Sequence, residues 1–270
     1  MTRPLGVTRG RKTGTREWSE HSFNCCLGCR HGCLYCYARA PALRFKRIKS
    51  GADWANERPV PIVLDRASRK YQGVVMFPTQ HDISVGNTGL CLDVLVRLLW
   101  EENRVLVVSK AGWHVPLFLN LANRSAGHRG EAELRVSVTA LDEEVSQFWE
   151  PGAPPPQERL AAIHDTAVAG IPTSVSIEPC LEPWRTAEIV AAVQKAGVTG
   201  EIWIGSANKL RARTAWCRGM AGLEDAISRL EAWQTRERMR EVFESLKGNP
   251  QVRWKDSYQK ALGIDAFGRP

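Results

Sequence analysis

Residues 25 to 39 read CCLGCRHGCLYCYAR, which places five of the chain's eight cysteines within twelve positions and sets Tyr35 among them. Cys29, Cys33 and Cys36 have the spacing C-x3-C-x2-C. Three thiolates on one short loop can hold three irons of a 4Fe–4S cluster and leave the fourth iron without a protein ligand. Adding Cys26 gives C-x2-C-x3-C-x2-C, which could instead hold zinc through four thiolates. Structural zinc sites usually pair two knuckles a dozen or more residues apart, so that two chain segments approach the metal. Only Arg30, His31 and Gly32 separate the knuckles here, and the spacing favours iron and sulfur. Arg30 and His31 read as solvent-facing or bonded to loop carbonyls. One of Cys25 and Cys26 reads as pointing into the core.

The 270 residues, 43% hydrophobic and 24% charged, suffice for one large domain with a sizeable core. No apolar run is long enough to span a bilayer, and the N-terminal MTRPLGVTRGRKTGTREW lacks the apolar stretch of a secretory signal. A cytoplasmic protein without membrane attachment is expected. Thiols stay reduced there, and a tight cysteine cluster reads as a metal or redox site, not a disulfide framework. The net charge of +8 is unevenly placed. Residues 1–50 hold 11 Lys/Arg against Glu17 and Glu20, while the remaining 220 residues hold 26 basic and 27 acidic side chains. Residues 1–16 therefore read as a flexible basic arm, either simply solvated or attracting a polyanion such as nucleic acid.

Beyond the cysteines, short β-branched runs alternate with helix-length amphipathic stretches. Strands are expected at 21–26, 73–78, 104–110, 133–139, 172–179 and 200–207. Helices are expected near 38–48, 89–101, 114–123, 157–169 and 184–196, with a long one within 221–247, and 49–70 reads as a polar connection. This alternation predicts an α/β fold with a parallel sheet of βαβ units, in one domain. Six units give a partial (β/α)6 barrel, since eight close the full one. Polar groups should then gather at the C-terminal strand ends: Cys26–Cys36, Thr79–Asp82, Lys110, Thr139, Glu178 and Ser206.

CRHGCLYC resembles the signature of radical S-adenosylmethionine (SAM) enzymes, C-x3-C-x-aromatic-C, with Tyr35 in the aromatic place. The resemblance implies a 4Fe–4S cluster on Cys29, Cys33 and Cys36, whose open iron is chelated by the amine and carboxylate of SAM. It further implies a reductant such as flavodoxin or ferredoxin, cleavage of SAM to a 5′-deoxyadenosyl radical, and hydrogen abstraction from a substrate. Tyr35 would pack near the adenine. The family's usual fold is the partial (β/α)6 barrel, which the periodicity reaches separately. From about Glu17 to Gly263, the stretches SVTALDEEVSQFWEPGAPPPQERLAAIHDTAVAGIPTSVSIEPCL and VRWKDSYQKALG resemble the spore photoproduct lyase-like (DNA repair photolyase-like) group. The core domain is accordingly set at 17–263 with a cluster loop at 25–37, and 264–270 is left as a C-terminal tail.

One departure stands out. Authentic lyases of that group carry a hydrogen-donating cysteine shortly before an aspartate at the end of the second strand. Here the stretch is FPTQHDISVG, with Thr79, Gln80 and His81 ahead of Asp82 and no thiol. Cys180, just past Glu178 and Pro179, is the better-placed replacement, and Cys91 reads as lying in a helix; each also reads as a buried structural cysteine. Thr79, Asp82, Ser137, Thr139 and Glu178 fall where SAM's amine and ribose would find acceptors, although Asp82 and Glu178 could equally cap helices or pair with arginine. Trp113, Trp149, Trp184, Trp203 and Trp254 read as gap fillers or as a platform for unpaired bases. Three functions compete: a radical SAM enzyme acting on nucleic acid, one acting on a peptide or small molecule, and a non-catalytic metal-binding module that holds nucleic acid.

Overall fold

Continuous β-branched runs suit strands buried on both faces, and helices between them cover one face of the resulting parallel sheet. The computed structural model describes residues 14–60 and 63–269. After a 3-10 turn at Gly14–Glu17 come β1 (His21–Ser22), β2 (Cys26–Leu27), α1 (Arg39–Arg44), β3 (Arg58–Pro59) and α2 (Val63–Ala67). The regular alternation follows: β4 (Val74–Phe77), α3 (Thr88–Trp100), β5 (Arg104–Ser109), α4 (His114–Ser125), β6 (Glu131–Ser137), α5 (Glu143–Trp149) and α6 (Pro156–Val168). The chain ends with β7 (Thr173–Ile177), α7 (Thr186–Lys195), β8 (Ile202–Ile204), α8 (Leu210–Arg213), α9 (Leu223–Ala232), α10 (Arg236–Leu246), β9 (Val252–Trp254) and α11 (Asp256–Leu262).

Seven strands form one parallel sheet in the order β1-β4-β5-β6-β7-β8-β9, so each strand lies beside its predecessor in the alternation. This is the α/β partial barrel expected from the periodicity, extended by a seventh strand. β2 pairs antiparallel with β3 in a separate ribbon, so the first expected strand is two short ones with a turn between them. The polar connection contains β3 and α2, and the long C-terminal helix is broken at 233–235, where Thr235 Oγ1 caps α10 by accepting from the Arg238 amide (3.4 Å). Residues 264–269 fold back on β9 through the Trp254 amide and the Ala266 carbonyl (2.9 Å). Among the described residues no helix is long and apolar enough to cross a membrane.

Period-two alternation divides the strand residues between two faces. Val75, Phe77, Val107, Val136, Val175 and Ile204 join the main core with the inner faces of the helices. On the other face Val74, Met76, Leu106 and Trp203 form a smaller cluster that receives Trp18. Beneath Trp18 lies a layer of buried charge. Arg135 pairs with Glu133 (3.2 Å), donates to Ser174 Oγ (2.8 Å), and stacks 4.7 Å from the Trp18 ring. Lys255, fully buried, sits 3.9 Å from the same ring, pairs with Glu17, and donates to the Gly14 carbonyl (2.9 Å). The turn at Gly14–Glu17 and Trp18 thus plug the lumen, held by cations whose charges are met by carboxylates and indole faces. Of the basic arm expected over 1–16, residues 1–13 lie outside the described residues. The tryptophans divide: Trp149, Trp203 and Trp254 are buried core, Trp184 packs on Trp233, and Trp113 is exposed. These five form no common platform.

Candidate active site

The C-terminal strand ends open on a cleft of about 520 Å³, a size suited to a small-molecule ligand. Cys29, His31, Cys33, Tyr35, Cys36 and Tyr37 reach it from the loop after β2. Thr79, Gln80, His81 and Asp82 follow β4; Lys110, Glu178 and Ser206 follow β5, β7 and β8; Ser137 ends β6. Arg16 and Arg213 add positive charge to the lining.

The cysteine loop is clasped by backbone from three directions. The Cys29 amide donates to the Trp54 carbonyl (2.8 Å), the Leu34 amide to Trp149 (2.8 Å), and the Gly152 amide to His31 (2.9 Å). Trp216 Nε1 donates to the Leu34 carbonyl (3.0 Å). Gly28 has φ +102°, and a Cβ there would stand 2.6 Å from the Asn56 carbonyl oxygen; only glycine permits that approach. Side chains finish the anchorage. Glu57 accepts from the Arg30 amide (3.1 Å), and Asp82 Oδ2 lies 3.2 Å from His31 Nδ1. His31 is therefore buried against a carboxylate, where the sequence suggested a solvent-facing ring or one bonded to loop carbonyls.

Asp82 gathers donors from two strand ends. Its Oδ1 accepts from the Ile83 amide (2.8 Å) and Ser109 Oγ (2.5 Å), and its Oδ2 from the Lys110 amide (2.9 Å). Burial pushes its carboxyl up, but His31, Lys110 and Ser109 outweigh burial and hold it well below the ordinary carboxylate range. Glu150 forms a second hub, wholly buried. It accepts from Arg159 Nη2 (2.5 Å), Thr139 Oγ1 (3.0 Å) and the Tyr35 hydroxyl, with Lys110 Nζ 3.7 Å away. Burial raises its carboxyl, and Arg159 and Lys110 more than reverse this. Tyr35 is thereby pinned at the cleft wall by a carboxylate beneath it. Neither Glu150 nor Arg159 was singled out by sequence reasoning, although both stand in the EPGAPPPQERL stretch that carried the resemblance.

The candidates from the sequence are distributed as follows. Thr79, Asp82, Ser137, Glu178 and Tyr35 line the cleft. Thr79 Oγ1 accepts from Asn24 Nδ2 (2.7 Å), and Glu178 lies 3.4 Å from Lys255 Nζ. Thr139 is fully buried behind the wall, spent on Glu150. Cys180 is buried with its Sγ 3.5 Å from Thr186 Oγ1 and is not among the lining residues; burial pushes its thiol up to about 11. Cys29, Cys33 and Cys36 do line the cleft, and all three are free thiols. Burial pushes Cys29 and Cys33 up, Cys33 to about 12, and Cys36 adds to the shift of each. Three soft donors facing one cleft fit a cationic iron–sulfur group, whose charge offsets the cost of burying thiolates. Cys26 stands apart from them, grouped with Cys25 and His81, so the four-thiolate alternative lacks its fourth ligand.

No family model matches the chain. An uncharacterised protein of the Acidianus two-tailed virus is 26% identical in an alignment that covers 63% of this chain and 58% of the viral one. The match thus spans little more than half of that relative's length. Among solved structures, spore photoproduct lyase complexed with a dinucleoside spore photoproduct has a TM-score of 0.57 at 17% identity, covering 92% of this chain and 80% of that one. A double mutant of the lyase with bound AdoMet and the same dinucleoside has a TM-score of 0.55 at 19% identity and the same coverage. The chain shares the fold of that lyase over nearly its whole length.

Proposed function

We propose that this chain is a radical SAM enzyme acting on nucleic acid. The observation that carries the reading is the convergence of Cys29, Cys33 and Cys36 on one cleft at the C-terminal mouth of a parallel partial barrel. Those cysteines would hold a 4Fe–4S cluster, which when bound supplies the electron that cleaves SAM to methionine and a 5′-deoxyadenosyl radical. The chain's own residues do the rest. The loop's backbone clasp and the His31–Asp82 contact fix the three thiols. Glu150 holds Tyr35 as a wall against which an adenine can lie. Ser137 and Glu178 offer acceptors to ribose hydroxyls or the methionyl amine. Arg16 and Arg213 place positive charge at the cleft, which suits a phosphate-bearing substrate, and the neighbouring lyase was solved with a dinucleoside in place.

Anaerobic reconstitution with iron and sulfide, followed by incubation with SAM and dithionite, tests the reading. A brown protein that releases 5′-deoxyadenosine, more of it with a cognate nucleic acid, is the expected result. Cys33→Ala should lose both the colour and the cleavage, because each cysteine is one iron's sole protein ligand. A Cys33→Ala protein that still cleaves SAM would refute the ligand assignment. Deoxyadenosine formation with peptides but not with nucleic acid would favour the peptide or small-molecule reading.

A further inference from the structure

Outside the cleft's three-cysteine set lies a second concentration of soft ligands. Cys25, Cys26, His81 and Cys91 are all buried, and all the cysteines are free. The ligand atoms of Cys25, Cys26 and His81 lie within 4.8 Å of one another. Cys25 Sγ is 3.6 Å from His81 Nε2 and 3.5 Å from Cys91 Sγ; Cys91 lies outside the mutually close group, with its thiol donating to Asn87 Oδ1 (3.2 Å), and would swing inward to supply a fourth ligand. A tetrahedral zinc ion, with Zn–S about 2.3 Å and Zn–N about 2.0 Å, sets its ligand atoms roughly 3.5–3.8 Å apart. The groups come from three places: Cys25 and Cys26 at the entry to β2, His81 in the segment after β4, and Cys91 in the first turn of α3.

The imidazole carries the second observation. His81 Nδ1 is 3.0 Å from the Asp82 carbonyl oxygen. A carbonyl only accepts, so Nδ1 bears the proton and Nε2 turns a lone pair toward the thiols. Metal-bound histidines show this same arrangement, the far nitrogen fixed by a carbonyl or carboxylate. Nε2 at present accepts from the Cys25 amide (3.0 Å); on metal binding that amide passes to a thiolate sulfur.

We infer that Cys25, Cys26, His81 and Cys91 form a second metal site, for a single soft divalent cation of the zinc class, separate from the three-cysteine loop. Three cysteines and one histidine are a standard closed structural set, and the thiols lose their protons as the ion enters. The site lies at the root of the functional loop, since Cys26 precedes Cys29 by three residues, and it shares the segment in which Asp82 holds His31. Its role is to fasten that root to β4 and α3.

The test removes the three thiols of the cleft loop. Full-length Cys29→Ala/Cys33→Ala/Cys36→Ala, purified from zinc-supplemented medium, should retain a single Zn2+ per chain after gel filtration. Exchange for Co2+ should give intense thiolate-to-cobalt absorption with tetrahedral d–d bands. Adding Cys25→Ser and His81→Gln should abolish both signals while circular dichroism still shows a folded chain. A folded triple variant that binds neither Zn2+ nor Co2+ overturns the inference, as does undiminished metal after the Cys25 and His81 substitutions. Should the triple variant not fold, zinc-edge X-ray absorption of the reconstituted wild type decides. A shell of three sulfurs and one nitrogen supports the site; no zinc, or an oxygen shell, overturns it. Failure of SAM cleavage leaves these readouts untouched, so the two readings fail separately.

Discussion

Glu150 has no exposed surface and is held by Arg159, Lys110, Tyr35 and Thr139. Removing one partner of a buried pair strands the other charge in a poor dielectric, which costs about 3–5 kcal/mol. Arg159→Met should therefore lower stability by about 3 kcal/mol or more in urea unfolding, and Glu150→Gln/Arg159→Met should recover part of it. A loss below about 1 kcal/mol in the single variant would show that Lys110 suffices. Cys180 gives a second residue-scale prediction. With its thiol beside Thr186 Oγ1 and outside the cleft lining, Cys180→Ala should, under the proposed function, leave SAM cleavage and the product distribution unchanged. Accumulation of uncoupled products in that variant would restore Cys180 as a hydrogen donor. The contrast between these residues explains what could be read in advance. Cys29, Cys33 and Cys36 lie within eight positions of one another, so spacing alone exposes them. Glu150 reaches Tyr35 across 115 positions, and no local pattern signals that a carboxylate after a helix folds under a distant tyrosine.

At the level of elements, the alternation located six of the seven parallel strands because runs such as VVMF and TSVSI are buried throughout. β9 escaped because Val252–Trp254 is three residues long and is flanked by polar chain. Such a short strand forms only because β8 already offers a parallel edge, a tertiary cause. The break between α9 and α10 was equally hidden, since both helices keep the amphipathic pattern and only the Thr235 cap separates them. The least local element is the plug. Nothing in EWSE announces that Trp18 enters the lumen, yet its ring meets Arg135, Lys255 and Trp203 there. Trp18→Ala should cost about 3–5 kcal/mol, the usual range for emptying a buried tryptophan site, and two cations lose their aromatic face as well. Thermal and urea unfolding measure this. A midpoint unchanged from wild type would mean that the plug contributes nothing to the fold.

For the whole molecule, the placement of charge makes the strongest claim. The chain's positive excess lies within residues 1–50, and the stretch Gly14–Arg16 of that segment lines the cleft. Arg3, Arg9, Arg11 and Lys12 precede that stretch directly in the chain. If these four side chains engage phosphates, each releases condensed counterions on binding, and log affinity falls with log salt by about 0.9 per phosphate neutralised on duplex DNA. Deleting residues 1–13 should weaken DNA binding at low salt and make that slope shallower by up to about 0.9 for each phosphate the chain no longer neutralises. Under the proposed function, SAM cleavage without nucleic acid should persist, because Gly14, Glu17 and Trp18 remain to fill the lumen. Fluorescence anisotropy of labelled duplex and single-stranded DNA, measured across a salt series for the full chain and the deletion, provides both slopes. Parallel lines of equal affinity would show that the four charges touch no phosphate. Binding of nucleic acid would then have to rest on Arg16, Arg213 and the cleft alone.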